Sequence, residues 1–566
     1  MVNKKMVVVG VSSLILVAMV VAVTIGVTGD YFSGSSSEDG NSKHAKTSTK
    51  AIKEICQPTD YKQRCIKSLT SVAGNDTTDG HELIKLTFKV AIDEIKKALS
   101  QSSLLKKAAD DPRTSKALEN CKELMNYAIE DLKNSVKQFD EFDIGEIEEL
   151  IEDLRVWLSA SMTYQETCLD GFEGAEDDTG KKMRKALQGA SELTSNTLAI
   201  INEISSLINS FEHPKTNRRT STREDFPSWV SDGRRKLLEA HPNTIKPDVV
   251  VAKDGSGDFK TITSALAKVP KKSNETFIIY IKKGIYKENV TVERSMQNVV
   301  MIGDGQTETK ITGNRNYVDG TPTFKTATVA VMGDGFMAKN IGFENDAGPL
   351  KHQAVALRVQ SDRSIFYKCQ MDGYQDTLYT HTNRQFYREC TITGTIDFIF
   401  GNAAVVFQNC NILARQPLDN QKNIVTAQGR KDRHEPTAII IHNCTISADP
   451  TYYPLRAKLP TYLGRPWKER SRTFIFQSQI DDLIHPDGWL PWSADFALST
   501  CFYSEFDNRG DGSPRTNRVK WRCIKNITAE HAQKFTVEKF LRGNQWINAS
   551  GVPFTPGLLP LHSQSS

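Results

Sequence analysis

Two segments of this chain decide its fold: FYKCQMDG at residues 366–373 and FYRECTITG at residues 386–394. Each contains an apolar run, one or two polar residues, a cysteine, and an apolar residue two positions after the cysteine. A similar pattern recurs in VFQNCNIL (406–413) and IIHNCTIS (440–447), and in MAKNIGF (337–343) with asparagine in the place of the cysteine. The repeated positions, separated by 29, 21, 20 and 34 residues, are Asn340, Cys369, Cys390, Cys410 and Cys444.

A repeat of about 20 residues with longer excursions indicates a parallel β-helix, in which each repeat forms one turn and the excursions are loops. Turns stack at a strand spacing of roughly 4.8 Å, so the equivalent cysteines are expected to form a ladder. We predict an all-β, right-handed parallel β-helix over residues 247–566, with one helical segment near 262–269. The alternative is a β-sandwich whose segments resemble each other by accident.

The region before it has a helical period. Apolar residues recur at i, i+3, i+4 and i+7, which is the spacing of one buried helix face. The two clearest stretches are Ile147, Leu150, Ile151, Leu154, Trp157 and Leu158, and then Leu198, Ile201, Ile204 and Ile208. We therefore predict an all-α bundle over residues 51–210, which makes the chain multidomain.

The composition of the 566 residues excludes several classes of protein. Proportions of 39% hydrophobic and 25% charged residues rule out wholesale disorder and a multi-span membrane protein. The net charge of +4 does not suggest nucleic-acid binding, but it hides an asymmetry. Ala51–Ser210 carries 20 basic and 29 acidic residues, whereas Glu239–Ser566 carries 40 basic and 32 acidic ones. The two patterned regions therefore carry opposite net charges.

The N-terminus predicts export. Met6 to Val27 contains no charge and is about long enough to cross a bilayer as a helix, and Lys4 and Lys5 precede it. Residues 1–28 are therefore either a transmembrane signal anchor or a long signal peptide, and 29–50 form a linker. Export makes disulfides plausible. It also gives meaning to six glycosylation sequons, at Asn75, Asn274, Asn289, Asn443, Asn526 and Asn548.

A second linker separates the two patterned regions. Residues 211–246 are rich in proline and basic residues, and they include the cluster RRKLL at 234–238. Exposed loop segments of this kind are preferred sites of proteolytic nicking. The cluster is therefore interpreted either as a site for a processing protease or as a solvated basic loop.

The repeat also brings chemistry together. Asp376 lies seven residues after Cys369, and Asp397 lies seven residues after Cys390, so the two carboxyl groups fall at the same point of consecutive turns. Neighbouring carboxyls do not both ionise easily, which splits their pKa values into those of an acid and a base or nucleophile. Gln375, and Gln353 about one turn earlier, offer amide donors for an oxyanion.

Other chemistries find no support in the sequence. There is no Gly-x-Ser-x-Gly elbow, no histidine pair with zinc-ligand spacing and no P-loop. We expect neither a metal nor an organic cofactor.

Five ordered motifs resemble those of plant pectin methylesterases: GIYKE (284–288), HQAVAL (352–357), YQDTLY (374–379), DFIFG (397–401) and LGRPW (463–467). The helical region is similar to the pectin methylesterase inhibitor domain, which implies a four-helix bundle with the disulfides Cys56–Cys65 and Cys121–Cys168. RRKLL resembles the processing motif of such precursors. The resemblance implies a secreted, wall-located hydrolase that removes methyl groups from pectin, with the inhibitor-like pro-region as a partner in cis.

The resemblance also implies residue roles. Asp397 matches the nucleophile, Asp376 the general acid and later base, Gln375 and Gln353 the oxyanion donors, and Arg465 the residue that holds Asp397. Arg465 is expected to favour the ionised form of Asp397, while the pKa of Asp376 rises. Substrate contacts are expected from Thr323, Gln353, Arg465, Trp467, Tyr379 and Phe400.

Two questions stay open at this point. In the β-helix, Cys390 with Cys410 fits the reach of a disulfide, and Cys410 with Cys444 competes with it. For the activity, the alternatives are a pectin glycosidase or lyase on the same fold, and a non-enzymatic wall-binding protein whose helical region is an interaction module.

Overall fold

A computed structural model describes residues 40–74, 77, 79–107, 111–175, 177–211 and 246–561. The chain divides into two compact units. Of the described residues, those up to 211 together with 434–436 form the helical unit, and 246–433 with 437–561 form the β unit.

Four long helices that pack on one another form the core of the helical unit. They are α3 (Gly80–Lys107), α4 (Pro112–Glu141), α5 (Ile147–Asp170) and α6 (Thr179–Phe211), and two shorter helices, α1 (Gly40–Ile55) and α2 (Lys62–Val72), precede them. The predicted four-helix bundle is confirmed. The predicted stripes form its interior, since Leu154, Leu158 and Ile201 are fully buried, while Trp157 and Ile204 lie half-buried at the edges.

Helix α4 begins at a capped N-terminus. Asp111 is its N-cap, and its carboxylate accepts a hydrogen bond of 2.7 Å from the backbone N–H of Thr114. Pro112 follows at the first helical position, where its missing N–H costs nothing. Both disulfides implied by the inhibitor resemblance are formed, Cys56 with Cys65 and Cys121 with Cys168.

Two predictions about the N-terminal region need correction. The linker predicted for 29–50 is wrong from residue 40, because α1 begins at Gly40; lysine and alanine in this stretch favour helix. Among the residues that the structure describes, no helix is long and apolar enough to cross a membrane. The transmembrane assignment is corrected on this finding, and Met6 to Val27, on which it rested, lies outside the described residues.

The β unit is built from short parallel strands. In chain order they are β1 Val249–Val251, β2 Phe277–Ile281, β3 Gly284–Lys287, β4 Val290–Val292, β5 Val299–Gly303, β6 Thr309–Gly313, β7 Val329–Val331, β8 Met337–Lys339, β9 Gly342–Asn345, β10 Leu357–Val359, β11 Ser364–Tyr367, β12 Gln370–Asp372, β13 Leu378–Thr380, β14 Arg384–Arg388, β15 Thr391–Gly394, β16 Ile399–Gly401, β17 Ala404–Gln408, β18 Asn411–Ala414, β19 Asn423–Gln428, β20 Ala438–His442, β21 Thr445–Ala448, β22 Thr461–Gly464, β23 Arg472–Phe476, β24 Gln479–Ile480 and β25 Phe502–Phe506.

These strands form three parallel sheets in which neighbours are three strands apart in the chain, except at the two ends of the ten-stranded sheet. One sheet runs β1-β2-β5-β8-β11-β14-β17-β20-β23-β25, the second β4-β7-β10-β13-β16-β19-β22, and the third β3-β6-β9-β12-β15-β18-β21-β24. Three strands therefore make one turn, and the predicted right-handed parallel β-helix is confirmed. The predicted helical segment is shorter than expected, since α7 spans Ile262–Leu266.

A left-handed residue marks the same corner of successive turns. Lys368, Glu389, Asn409 and Asn443 each precede a ladder cysteine, and their φ values lie between 51° and 56°. Asn340, with a φ of 57°, belongs to this corner set and not to the cysteine positions with which the repeat aligned it. Its successor Ile341 is the fully buried residue that takes the cysteine place.

The cysteine ladder exists, but it contains no disulfide. Cys369, Cys390, Cys410 and Cys444 are buried free thiols, so both pairings considered from the sequence are wrong. Side chains in register on parallel strands point the same way at roughly 4.8 Å, whereas a disulfide needs converging Cβ atoms at about 3.8 Å. The disulfide of the β unit joins Cys501 to Cys523.

Three short helices close the β unit: α8 (Ala529–Gln533), α9 (Val537–Phe540) and α10 (Gly543–Trp546). Val537 and Trp546 of these helices, with Leu541 between them, cover the outer face of the ten-stranded sheet. This face therefore has its own core, separate from the interior of the β-helix.

Candidate active site

The sheet register places the two predicted carboxyl groups on consecutive turns. Strands β13 and β16 pair so that Leu378 lies opposite Ile399, and an aspartate precedes each by two residues. The backbone N–H of Asp376 donates to the carbonyl of Ile396 at 3.0 Å, one residue before Asp397. The two backbones are thus about one turn spacing apart, roughly 4.8 Å.

Both aspartates adopt a left-handed backbone conformation. The φ values are 63° for Asp376 and 49° for Asp397. Aspartate tolerates this region better than most residues, and such strain tends to cluster at functional sites. Nothing in the sequence repeat signalled this shared conformation.

Arg465 holds Asp397 by two hydrogen bonds. Its Nε donates to Oδ1 at 2.8 Å and its terminal nitrogen donates to Oδ2 at 2.5 Å. Arg465 follows β22, and its backbone N–H is anchored on the carbonyl of Thr426 at 2.9 Å. The ring of Trp492 lies 4.3 Å from the guanidinium, a contact that the sequence did not predict.

Burial and Arg465 act in opposite directions on the pKa of Asp397. Burial raises the pKa of Asp397 above its ordinary value, although the charge and hydrogen bonds of Arg465 act to lower it. Arg465 therefore favours the ionised form of Asp397, as expected, but burial outweighs it because Asp397 is only 5% exposed and loses its hydration. Burial also acts to lower the pKa of Arg465, but the negative charge of Asp397 raises it overall.

The two predicted amides lie on neighbouring turns. The backbone N–H of Ala354, next to Gln353, donates to the carbonyl of Gln375 at 3.2 Å. Both glutamines are half-buried, and neither side-chain amide is used in a hydrogen bond with another described residue. Their N–H groups are therefore free to donate to a bound group.

A cluster of aromatic rings adjoins the carboxyl groups. Tyr379 and Phe400 face each other in register and stack with centroids 4.2 Å apart. Trp467 meets both rings edge-on, at 6.4 Å and 5.9 Å. Gly429 makes room for it, since a Cβ there would lie 2.8 Å from the indole Cε3.

Exposure separates the members of this cluster. Trp467 is half-buried, so its ring can be reached from solvent, whereas Tyr379 is 2% and Phe400 4% exposed. The last two therefore form the floor beneath Trp467. Thr323 is half-buried and begins a short 3-10 helix, whose Phe324 packs against His381 beside Tyr379.

Comparison with known families agrees with this geometry. Residues 248–544 match the pectinesterase family model, and residues 50–200 match the model for the plant invertase/pectin methylesterase inhibitor. The chain belongs to the pectinesterase family. Its N-terminal domain is of the inhibitor type, so both resemblances read from the motifs are confirmed.

Relatives resemble this pectinesterase along nearly its whole length. "Probable pectinesterase/pectinesterase inhibitor 21" from Arabidopsis thaliana is 49% identical over 562 residues, which is 98% of this chain and 83% of the relative. "Pectinesterase 3" from Phaseolus vulgaris is 46% identical over 512 residues, or 89% of this chain and 86% of the relative. A solved structure, "Pectin methylesterase from Carrot", is 51% identical with a TM-score of 0.55, and the match covers 56% of this chain and 99% of that one.

Membership in this family establishes the enzyme class. The chain is a carboxylic ester hydrolase of the pectinesterase type that carries an inhibitor-like domain. The non-enzymatic alternative and the glycosidase or lyase alternative are thereby set aside.

Proposed function

We propose that this pectinesterase removes methyl groups from methyl-esterified homogalacturonan with Asp397 as the nucleophile and Asp376 as the acid and base. The observation that carries the proposal is the placement of these two buried carboxyl groups on consecutive turns, with a bidentate arginine on one of them. That asymmetry assigns different tasks to two otherwise equivalent residues.

The first step is attack by the Asp397 carboxylate on the ester carbonyl of a galacturonate unit. Arg465 orients the carboxylate through both oxygens, which reduces its freedom to point elsewhere. The side-chain amides of Gln353 and Gln375 then donate to the oxyanion of the tetrahedral intermediate. Loss of one such donor typically lowers turnover by about 100-fold or more.

Asp376 completes the cycle. It donates its proton to the departing methanol, and the acyl group remains on Asp397. Asp376 then takes a proton from water, which attacks the acyl-enzyme and releases the galacturonate carboxylate. The half-buried Trp467 ring, with Tyr379 and Phe400 beneath it and Thr323 nearby, forms the sugar-binding platform.

The test compares Asp397→Asn with Asp511→Asn, an exposed control in the same unit. Each variant is made as the full chain and cut at a protease site introduced at residues 234–238. We expect Asp397→Asn to abolish methanol release from methylated pectin, with pectin binding retained, and the control to match the wild type. Turnover near normal in Asp397→Asn would sink the nucleophile assignment. A fall in pectin viscosity without methanol release would instead show chain cleavage.

The N-terminal half of the chain is proposed to restrain the enzyme before processing. The protein is secreted to the cell wall, and a protease cuts at RRKLL (234–238), a motif outside the described residues. To test this, a specific protease site replaces the motif in the full chain, and methanol release is measured before and after cutting. A rise in activity on cutting supports restraint, and unchanged activity contradicts it.

Glycosylation is proposed at exposed sequons. Asn274, Asn289, Asn526 and Asn548 are exposed, which suits an acceptor site. Asn443 is half-buried at the left-handed corner of a turn and is the least accessible of the five described sequons. Asn75 lies outside the described residues. Peptide mapping of the secreted protein tests this order.

A further inference from the structure

Arg415 contacts the two turns that carry the catalytic carboxyl groups. It follows strand β18, and its side chain is 29% exposed. Its backbone N–H donates to the carbonyl of Gly394 at 2.7 Å. A terminal nitrogen of its guanidinium donates to the carbonyl of Gly373 at 3.0 Å.

These two carbonyls are equivalent. Gly373 lies three residues before Asp376, and Gly394 lies three residues before Asp397. The preceding strands β12 and β15 pair with Gln370 opposite Thr391, so the two glycines also face each other across one turn spacing. One residue thus binds the same atom of both catalytic turns.

The turns leave little room for adjustment. A Cβ on Gly394 would lie 2.2 Å from the Cβ of Phe398, and one on Gly373 would lie 2.7 Å from Oγ1 of Thr377. Real Cβ atoms essentially never lie within 3.0 Å of such a neighbour, so both positions need glycine. Because the chain is tightly packed at these glycines, a shift of either turn also moves the aspartate three residues later.

Arg415 also fixes the residue beside the oxyanion donor. Its guanidinium stacks 4.0 Å above the ring of Tyr374, and its other terminal nitrogen donates to the tyrosine hydroxyl at 3.0 Å. Gln375 follows directly in the chain. Arg415 is in turn held by Asn423, whose amide donates to its carbonyl at 2.9 Å, and by Asp449 at 3.9 Å.

We propose that Arg415 is a positioning residue that sets the spacing between Asp376 and Asp397 and the orientation of Gln375. It touches no reacting atom, and it acts through the two glycine carbonyls and Tyr374. The inference rests on the roles proposed above. Its physical basis is that a displacement of about 1 Å in a catalytic group can cost about 100-fold in rate.

The chain offers a matched control in Arg456. Its guanidinium lies 3.8 Å from the ring of Tyr453, donates to the Tyr453 carbonyl at 2.9 Å, and pairs with Asp482. This set of contacts resembles that of Arg415, but it contains no residue of the catalytic turns. Loss of either arginine removes similar local packing, and only the loss of Arg415 should affect the reaction.

The experiment measures methanol release for Arg415→Ala, Arg415→Lys and Arg456→Ala, each made as the full chain and cut at a protease site introduced at residues 234–238. We expect kcat of Arg415→Ala to fall by about 10- to 100-fold with KM within about twofold. Arg415→Lys should recover little, because lysine has no planar fork to stack and donate twice. Arg456→Ala should keep the wild-type kcat. Equal kcat in Arg415→Ala and Arg456→Ala overturns the proposal.

A double-mutant cycle separates positioning from a general loss of stability. If Arg415 acts through the turn of Gln375, the double variant Arg415→Ala/Gln375→Ala should lose less kcat than the product of the two single-variant factors. For Arg456→Ala with Gln375→Ala, the loss in the double variant should equal that product. Multiplicative losses in both cycles overturn the proposal. If Arg415→Ala does not fold, Tyr374→Phe, which removes one hydroxyl contact, takes its place in the cycle.

Failure of this inference differs from failure of the proposed function. If Asp397→Asn is inactive but Arg415→Ala matches Arg456→Ala, only the positioning role is lost. If Asp397→Asn keeps its turnover, the residue roles themselves are wrong, whatever Arg415 does.

Discussion

The two units of this pectinesterase use cysteine in opposite ways. In the helical unit all four cysteines form disulfides, Cys56–Cys65 and Cys121–Cys168. In the β unit four of the six cysteines are stacked free thiols inside the β-helix, and the other two form one disulfide. A helix bundle gains from cross-links between elements that meet only along a seam, whereas a β-helix already bonds each turn to the next.

The same contrast holds for charged groups. Ion pairs of the helical unit such as Lys96–Asp93 lie at the surface, with side chains 52% and 44% exposed. The β unit buries pairs such as Arg384–Asp362, at 6% and 8% exposed. Surface pairs contribute little to stability, but a buried charge left without its partner is costly. The β unit should therefore be the more sensitive to loss of a polar partner.

The largest expected effect is in the β unit, for Arg384→Met. Arg384 donates to both oxygens of Asp362, at 3.0 Å and 2.6 Å. Burial alone would raise the pKa of Asp362, but the charge of Arg384 lowers it to about 2. Removing the arginine leaves a buried carboxylate, which should cost about 3–5 kcal/mol in urea unfolding. The surface variant Lys96→Met should lower the free energy of unfolding by well under 1 kcal/mol. Equal losses in the two variants would contradict the difference between buried and surface ion pairs.

The second effect is in the helical unit. Replacing both Cys121 and Cys168 by serine opens a loop with a sequence separation of 47 residues. The chain-entropy model gives a loss of about 4 kcal/mol. Hydrogen exchange resolved by peptide should show faster exchange in α4 and α5, with the interior strands of the β unit unchanged. Faster exchange throughout the strands would show that the two units do not differ in this way.

The third prediction concerns pH. Burial lowers the pKa of His442 to about 4, and it lies between Gln408 and Gln477. Since the folded pKa lies below the unfolded value of about 6.5, the unfolded chain binds the proton more readily. Stability is therefore complete above about pH 6.5 and is lost as the pH falls towards 4, by up to about 3 kcal/mol. Urea unfolding across this range should show the slope in the wild type and a weaker one in His442→Gln.

The smallest expected effect tests the ladder itself. Cys390→Ala removes one sulfur from the stack, which should cost about 1–2 kcal/mol through a small cavity. A separate measurement uses the wild-type protein. Alkylation after unfolding without reduction should label four cysteines: Cys369, Cys390, Cys410 and Cys444. Labelling of only two would mean that a disulfide had formed within the ladder.

The active site shows where reading from the sequence succeeds. The 21-residue separation of Asp376 and Asp397 equals the step between Cys369 and Cys390, and a β-helix converts equal separation into adjacency. The pairing was therefore predictable from the repeat alone. The left-handed backbone of both residues, the Trp492 contact and the direction of the Asp397 pKa were not, since each depends on burial or on distant parts of the chain.

Sequence by itself determined the period of each region, and with it the bundle, the β-helix and the stacking of its cysteines, because period is a local property of the chain. Tertiary structure alone decided the state of those cysteines. Cys390 and Cys410 are one turn apart and looked like partners, yet parallel side chains keep them reduced, and the disulfide lies at Cys501 and Cys523. It also decided that Arg415, 39 residues from Asp376, binds the glycine carbonyls of the two turns that carry Asp376 and Asp397. Such contacts join residues that are distant in the sequence. They depend on the path of the loops, which no local sequence pattern predicts.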